Sequence, residues 1–214
     1  MKHIVTLLLM GLFNLSLFAG DTKEVLFWQW FQRNEERLFS FEKDRDKIFD
    51  ALSEAMKKVH PDLTFEFSPV LEGGRREFVI SAAGIKSAFA AVETLHAVAP
   101  KLPRWIFVKF RPRRTPIHDL EYAGRKVRCQ DVHYLLFRDD KPGKIGVMLF
   151  LDGYKEEKKS DWGQIGYLFL DEALGEYDVE MKVGAVVFQS RDSKHFARAG
   201  YFPKRGRVLG YRLR

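Results

Sequence analysis

The chain has 214 residues, 46% hydrophobic and 30% charged, with one cysteine and a formal net charge of +7. That composition excludes a disordered or low-complexity body, and one cysteine excludes an internal disulfide, so burial alone has to hold the fold. The length suits one sizeable domain with its own core.

At the amino terminus, Lys2 and His3 precede an apolar run from Ile4 to Ala19 that is interrupted by Gly11, Asn14 and Ser16. The run falls short of the ~20 apolar residues a span needs, and Asp21, Lys23 and Glu24 follow instead of a basic stop-transfer cluster. This is the grammar of a cleaved signal peptide over residues 1–20, with the mature chain starting near Gly20 or Asp21. An uncleaved anchor helix is the alternative. The reading implies a periplasmic or secreted protein with no retained transmembrane span. No cysteine stands at the new amino terminus for acylation, because the only one is Cys129.

From Val25 to Phe41 the chain is dense in aromatic residues, with Phe27, Trp30, Phe31 and Leu38 near helical spacing. At that spacing the tryptophans read as a buried helix face rather than a carbohydrate platform. Ile48, Leu52, Met56 and Val59 recur three or four apart before Pro61, so the chain opens as a helical hairpin. The period then changes to two at Leu63, Phe65 and Phe67, and Gly73-Gly74 lead into Arg76 to Ile80, which predicts a β-hairpin. Ile85, Ala88, Phe89, Val92, Leu95 and Ala99 trace a helix that Pro100 closes, and Trp105 to Phe110 forms the next strand.

Lys126 to Gln130 alternates, turning Val127 and Cys129 to one face of a strand. Cys129 reads as a buried structural residue, the sharper reading being a nucleophile with His133 as its base. His133 to Arg138 is a strand, Asp139 to Gly143 a turn, and Lys144 to Leu151 a strand. A helix follows with Asp161 as its cap, an apolar face of Trp162, Ile165, Phe169 and Ala173, and Gly175 at its end. Val183 to Phe188 closes the sheet. The fold class is therefore α+β: an N-terminal helical hairpin followed by two tandem ββαβ units forming mixed or antiparallel sheet. The organisation is a signal peptide (1–20), one globular domain (21–193) and a basic C-terminal tail (194–214). The predicted core comprises Phe65, Phe67, Phe78, Ile80, Phe89, Val92, Leu95, Phe107, Leu149, Phe169, Val186 and Phe188.

Phe27-Trp28-Gln29-Trp30-Phe31, Arg76-Glu77-Phe78, Trp105 ahead of an apolar strand, and Leu170-Asp171-Glu172-Ala173-Leu174-Gly175-Glu176 together resemble an uncharacterised bacterial family, over roughly residues 27–188. The resemblance implies no activity and carries over no functional residue.

Motifs of chemistry are scarce. The sequence has no glycine-rich phosphate loop, no CxxC or HExxH metal signature and no GxSxG elbow, so neither a cofactor nor a metal is expected. Its six histidines, His3, His60, His96, His118, His133 and His195, are scattered. Carboxylates offer the one enzymatic alternative: Glu66 and Glu77 fall on neighbouring predicted strands, and Asp171, Glu172, Glu176, Asp178 and Glu180 cluster late in the chain. Two such groups at the right separation divide acid and base roles in a cell-envelope hydrolase. Against that, Glu66 alternates out from Phe65 and Phe67 as on a solvated face, with Arg75 and Arg76 near enough in sequence to neutralise it.

The informative charge lies in residues 194–214, where Lys194, Arg198, Lys204, Arg205, Arg207, Arg212 and Arg214 stand without an acidic residue. Removing these seven from the 36 basic residues leaves 29, equal to the 29 acidic ones, so the rest of the chain is neutral. Arginines interleaved with Phe196, Tyr201, Phe202 and Tyr211 suit anionic surfaces. Export makes anionic lipid, cell-wall polymer or an acidic protein the expected partners and sets nucleic acid aside. A smaller basic run, Lys109, Arg111, Arg113 and Arg114, either extends this patch or belongs to a strand leaving the sheet. The functional expectation is an exported, non-enzymatic binding or interaction protein.

Overall fold

The computed structural model describes residues 20–201. The apolar leader and the cationic residues Lys204, Arg205, Arg207, Arg212 and Arg214 lie outside the described residues. The fold mixes helices with three small sheets, mixed or antiparallel, and is α+β. Among the described residues no helix is long and apolar enough to cross a membrane.

Thr22 caps helix α1 (Lys23–Arg33), its hydroxyl accepting the Val25 N–H at 3.3 Å. A short α2 (Glu35–Phe39) and α3 (Arg45–Lys57) follow. Phe27, Trp28 and Phe31 on α1 and Ile48, Leu52 and Met56 on α3 are buried, as their spacing requires. Trp28 is buried without an orphaned donor, since its Nε1 donates to the Leu95 carbonyl at 2.7 Å.

These helices cover one face of a sheet ordered β1 (Thr64–Phe67), β2 (Arg76–Ser81), β3 (Trp105–Lys109). β1 and β2 are antiparallel, with Phe67 opposite Phe78, and β3 lies parallel to β2 with Phe107 beside Phe78. Helix α4 (Phe89–Ala97) makes the crossover that a parallel pair needs. Phe31 meets Phe78 and Trp105 at ring separations of 5.1 and 5.0 Å. Phe65, Phe67 and Phe107 pack against this core while only partly buried. Phe89, 8% exposed, packs its ring on Phe110 at 4.6 Å and Tyr177 at 5.7 Å. Phe89→Ala should therefore cost about 3–5 kcal/mol in equilibrium unfolding, and a loss under about 1 kcal/mol would contradict that packing.

In the second half β4 (Leu120–Tyr122) and β5 (Arg125–Val127) form a hairpin turned by Ala123 and Gly124, both at positive φ (49° and 74°). Positive φ at both central residues gives the turn the twist a two-residue hairpin needs. The expected strand through Cys129 is thus corrected: pairing ends at Val127, and Cys129–Asp131 is a 3-10 turn. Cys129 is buried, and its N–H donates to Asp119 Oδ1 at 2.9 Å.

The largest sheet is ordered β8 (Val183–Gln189), β7 (Ile145–Phe150), β6 (His133–Arg138), β9 (Gly200–Tyr201). β6 and β7 are antiparallel, and β8 is parallel to β7. The strand at Val183–Phe188 does not complete the sheet, because β9 returns to pair with His133 and Tyr134. Phe196 seats the returning chain, its ring 5.0 Å from His133 and 5.4 Å from Phe150. The first part of the basic segment is therefore woven into the fold.

Helix α5 (Lys159–Leu174) crosses from β7 towards β8, and α6 (Glu176–Lys182) follows it. α5 continues directly from a 3-10 turn at Glu156–Lys158, so Asp161 sits in its first turn and does not cap it. Gly175 does end it, at φ 88°, and a Cβ there would stand 3.3 Å from the Arg113 nitrogen. Only glycine lets this junction press against the chain leaving β3. The buried apolar side chains fall into two clusters, one between Phe27 and Phe110 and one between Ile117 and Phe188.

Candidate functional site

The predicted carboxylates meet where these two clusters adjoin. Glu66 and Glu77 lie on the sheet face turned away from α1 and α3, where Glu66 stands opposite Val79, two residues beyond Glu77. That face is not left to water. Arg111 Nε donates to Glu66 Oε1 at 2.5 Å and Arg111 Nη1 to Asp171 Oδ2 at 3.2 Å, while Arg114 Nη2 donates to Glu77 Oε2 at 2.7 Å. Glu66 is thus neutralised by Arg111, from the basic run after β3, and not by its sequence neighbours. Arg76 points to the opposite face, buried under Phe41 and bonded to Glu42 Oε1 at 2.7 Å.

Glu176 is fully buried and joins the two halves. Its Oε1 accepts the N–H groups of Ala82 (2.9 Å) and Gly84 (3.0 Å), and its Oε2 accepts the Arg111 N–H at 2.9 Å. Ala83 and Gly84, at φ 50° and 76°, curl the loop after β2 into a concave nest of backbone N–H groups, a shape that receives anions. Phe110, at φ 59°, turns the chain so that Arg111 faces this carboxylate. The strain is held by its N–H bond to Ile80 and by the rings of Phe89 and Tyr177.

Burial pushes the Asp171 carboxyl up to about 7; Arg111 opposes the rise, and Glu176 and Glu66 add to it. Burial also works against the charge on Arg111, but Glu66, Asp171 and Glu176 hold its pKa above the ordinary arginine value. The two shifts are consistent, because one guanidinium is shared among three carboxylates. Of the remaining late acids, Glu172 accepts from His118 Nδ1 at 3.1 Å, Asp178 pairs with Lys182 at 3.0 Å, and Glu180 is half-buried on α6. Among the described residues no group of three or more His, Cys, Asp and Glu is placed to hold a metal ion. Chemically this network is a polar clamp: each carboxylate of it is engaged by a cation or by backbone N–H groups.

A cleft of about 720 Å³ lies elsewhere, between the β4–β5 hairpin, the loop from Asp152 to Gly153 after β7, and Trp162 on α5. That volume lies within the range of ligand sites. The Arg125 guanidinium stacks over the Trp162 ring, its Cζ 4.2 Å from the centroid. The Arg125 guanidinium makes no hydrogen bond or ion pair with any described residue. Trp162 is 3% exposed, and its Nε1 has no partner among the described residues. The neighbouring charges are occupied. Arg128 Nε binds Asp131 at 2.5 Å, Arg191 reaches Asp131 and Asp152 at 3.4 and 3.9 Å, Lys126 stands 3.5 Å from Glu121, and Asp119 holds the Cys129 N–H. The hydrogen bond from Arg128 holds the Asp131 carboxyl below its ordinary range. Trp105, whose Nε1 also has no hydrogen-bond partner among the described residues, lines a separate groove of about 520 Å³.

Sequence reasoning missed this cleft. Arg125 drew no notice and Trp162 counted only as helix face, 37 residues further on in the chain. Of the predicted anion-binding residues, Lys194 and Arg198 are exposed in the segment returning to β9, and the other five lie outside the described residues. Cys129 sits in a 3-10 turn and His133 begins β6, so the two do not share the strand face that the sequence suggested. No protein-family model, curated protein or solved structure matches the chain.

Proposed function

We propose that the chain is an exported, non-enzymatic binding protein that takes an acidic organic ligand in the cleft between the β4–β5 hairpin and α5. The observation that carries this reading is the Arg125–Trp162 stack: a cation without a counter-ion among the described residues, held flat by a buried ring, at the wall of a ligand-sized cleft. A guanidinium presented this way offers a planar fork of donors to a carboxylate or phosphate, and the ring fixes it at little entropic loss. The hydrolase alternative loses its support from Glu66 and Glu77, because Arg111 and Arg114 engage both. Export rests on the leader at residues 1–20, and the architecture is best described as a helical hairpin followed by two ββαβ units. The cationic segment 194–214 supplies a second attachment, to anionic lipid, wall polymer or an acidic protein.

Thermal unfolding of the full chain against a panel of small organic acids and their neutral amides tests the cleft. A ligand at about a hundredfold its Kd adds about 2.7 kcal/mol, or roughly 5–10 °C in Tm for a chain of this size. Acids should raise Tm, their amides should not, and Arg125→Gln should abolish the rise without lowering the ligand-free Tm. Equal shifts in the wild type and the variant would refute the reading. Association through residues 194–214 should instead be read on anionic vesicles, weakening as salt rises from about 0.05 to 0.5 M.

A further inference from the structure

The loop after β2 and the loop after β7 share a turn closed over a glycine, but they differ at the turn's first two residues: Ala83 is at φ 50° while Asp152 is not at positive φ, and the Ala82 N–H reaches Glu176 while the Leu151 N–H is taken by the Gln189 carbonyl at 3.0 Å. In the first, the Ile85 N–H closes a turn on the Ala82 carbonyl at 2.9 Å; in the second, the Tyr154 N–H closes on the Leu151 carbonyl at 3.1 Å. The third residue of each turn is a glycine at nearly the same angle, Gly84 at φ 76° and Gly153 at φ 75°. Each loop leaves the middle strand of an antiparallel-then-parallel trio and runs through a 3-10 turn into the crossover helix. Their occupancy differs. The Gly84 N–H is bonded to the Glu176 carboxylate, whereas the Gly153 N–H donates to no described residue and Gly153 lines the cleft beside Trp162.

Resting on the binding reading above, we propose that the cleft recognises the carboxylate of an organic monoanion, held between the Gly153 N–H and the Arg125 guanidinium, two donors that have no partner among the described residues and that both lie against Trp162. Charge favours a carboxylate over a phosphate. Arg125, Lys126 and Arg128 line the cleft with Asp119, Glu121, Asp131 and Asp152, and Arg191 pairs with two of these acids from beside it, so among the described residues Arg125 is the one of these four cations without an ion pair and matches a single negative charge. A planar two-oxygen head also matches the flat guanidinium stacked on Trp162. Leu120 and Val127 border the site for an apolar ligand body.

Three probes on one skeleton test this: phenylacetate, phenylacetamide and benzylphosphonate, titrated into the full chain while the Gly153 amide and the Trp162 indole are followed in 15N–1H spectra. Phenylacetate should shift both resonances saturably and about tenfold more tightly than benzylphosphonate, while phenylacetamide leaves both in place. The Trp105 indole, in its separate groove, is the internal control. A Trp162 shift without a Gly153 shift, or a phosphonate that binds as well as the carboxylate, would overturn this inference and leave the cleft reading standing. Silence of both resonances with all probes to tens of millimolar would overturn both.

Discussion

Replacing Glu176 by alanine is expected to lower the unfolding free energy by about 3–5 kcal/mol, the cost of removing one partner of a fully buried ionic hydrogen-bond system. Three backbone donors, on Ala82, Gly84 and Arg111, would lose their acceptor at once, in a place where the wild-type side chain leaves no solvent exposure. Each buried donor left unmet costs about 1–3 kcal/mol, and the Arg111 guanidinium would lose one of its three neighbouring negative charges. Glu176→Gln separates the two contributions. The amide oxygen can still accept from Ala82 and Gly84, but its NH2 group meets the Arg111 N–H donor to donor, so an intermediate loss is expected. Denaturant unfolding of both variants measures the effect. A loss below about 1 kcal/mol for Glu176→Ala would mean that water replaces the carboxylate and that the clamp does not join the two halves.

The second large effect is a pH dependence. Asp171 in the folded protein titrates near 7, against an ordinary value near 3.8, chiefly because it is buried. With the folded pKa raised, the folded state binds more protons than the unfolded state between these values. Stability therefore falls as pH rises through that window and levels off above 7. A shift of this size corresponds to at most roughly 4 kcal/mol. Exposed carboxylates with lowered pKa values, such as Glu36 and Glu54, act in the opposite sense at more acidic pH, so the comparison has to be differential. The stability of Asp171→Asn relative to wild type should climb between about pH 4 and pH 7 and be flat beyond. Should the variant instead lose ground as pH rises, the attraction of Arg111 at 3.2 Å outweighs burial and the sign is reversed.

Much of the fold was legible because it follows from two periods. Ile48, Leu52 and Met56 on α3 and Phe65 and Phe67 on β1 declare their faces by spacing alone, and Gly175 declares a helix end. Elements that rest on unusual residues were hidden. The β4–β5 turn puts Ala123 at positive φ, where asparagine or glycine is the customary signal, and Phe110 takes a left-handed angle that no aromatic side chain advertises. β9 is only two residues long, too short to carry a pattern. The clamp was out of reach for a different reason: Arg111 and Glu176 are 65 residues apart, and Glu66, still 43% exposed, finds its cation in Arg111, 45 residues further on, and not in its sequence neighbours. The cleft has the same origin, since neither Arg125 nor Trp162 is remarkable until the hairpin lays one across the other.

The central claim is that the Arg125–Trp162 cleft is an acid-binding site, and a structure of the full chain co-crystallised with the organic acid that raises Tm most tests it directly. The account predicts the acid's carboxylate within about 3 Å of the Arg125 guanidinium, and its body against Leu120, Val127 and Trp162. An acid bound anywhere else, with Arg125 still stacked on Trp162 and without an anion, would contradict it.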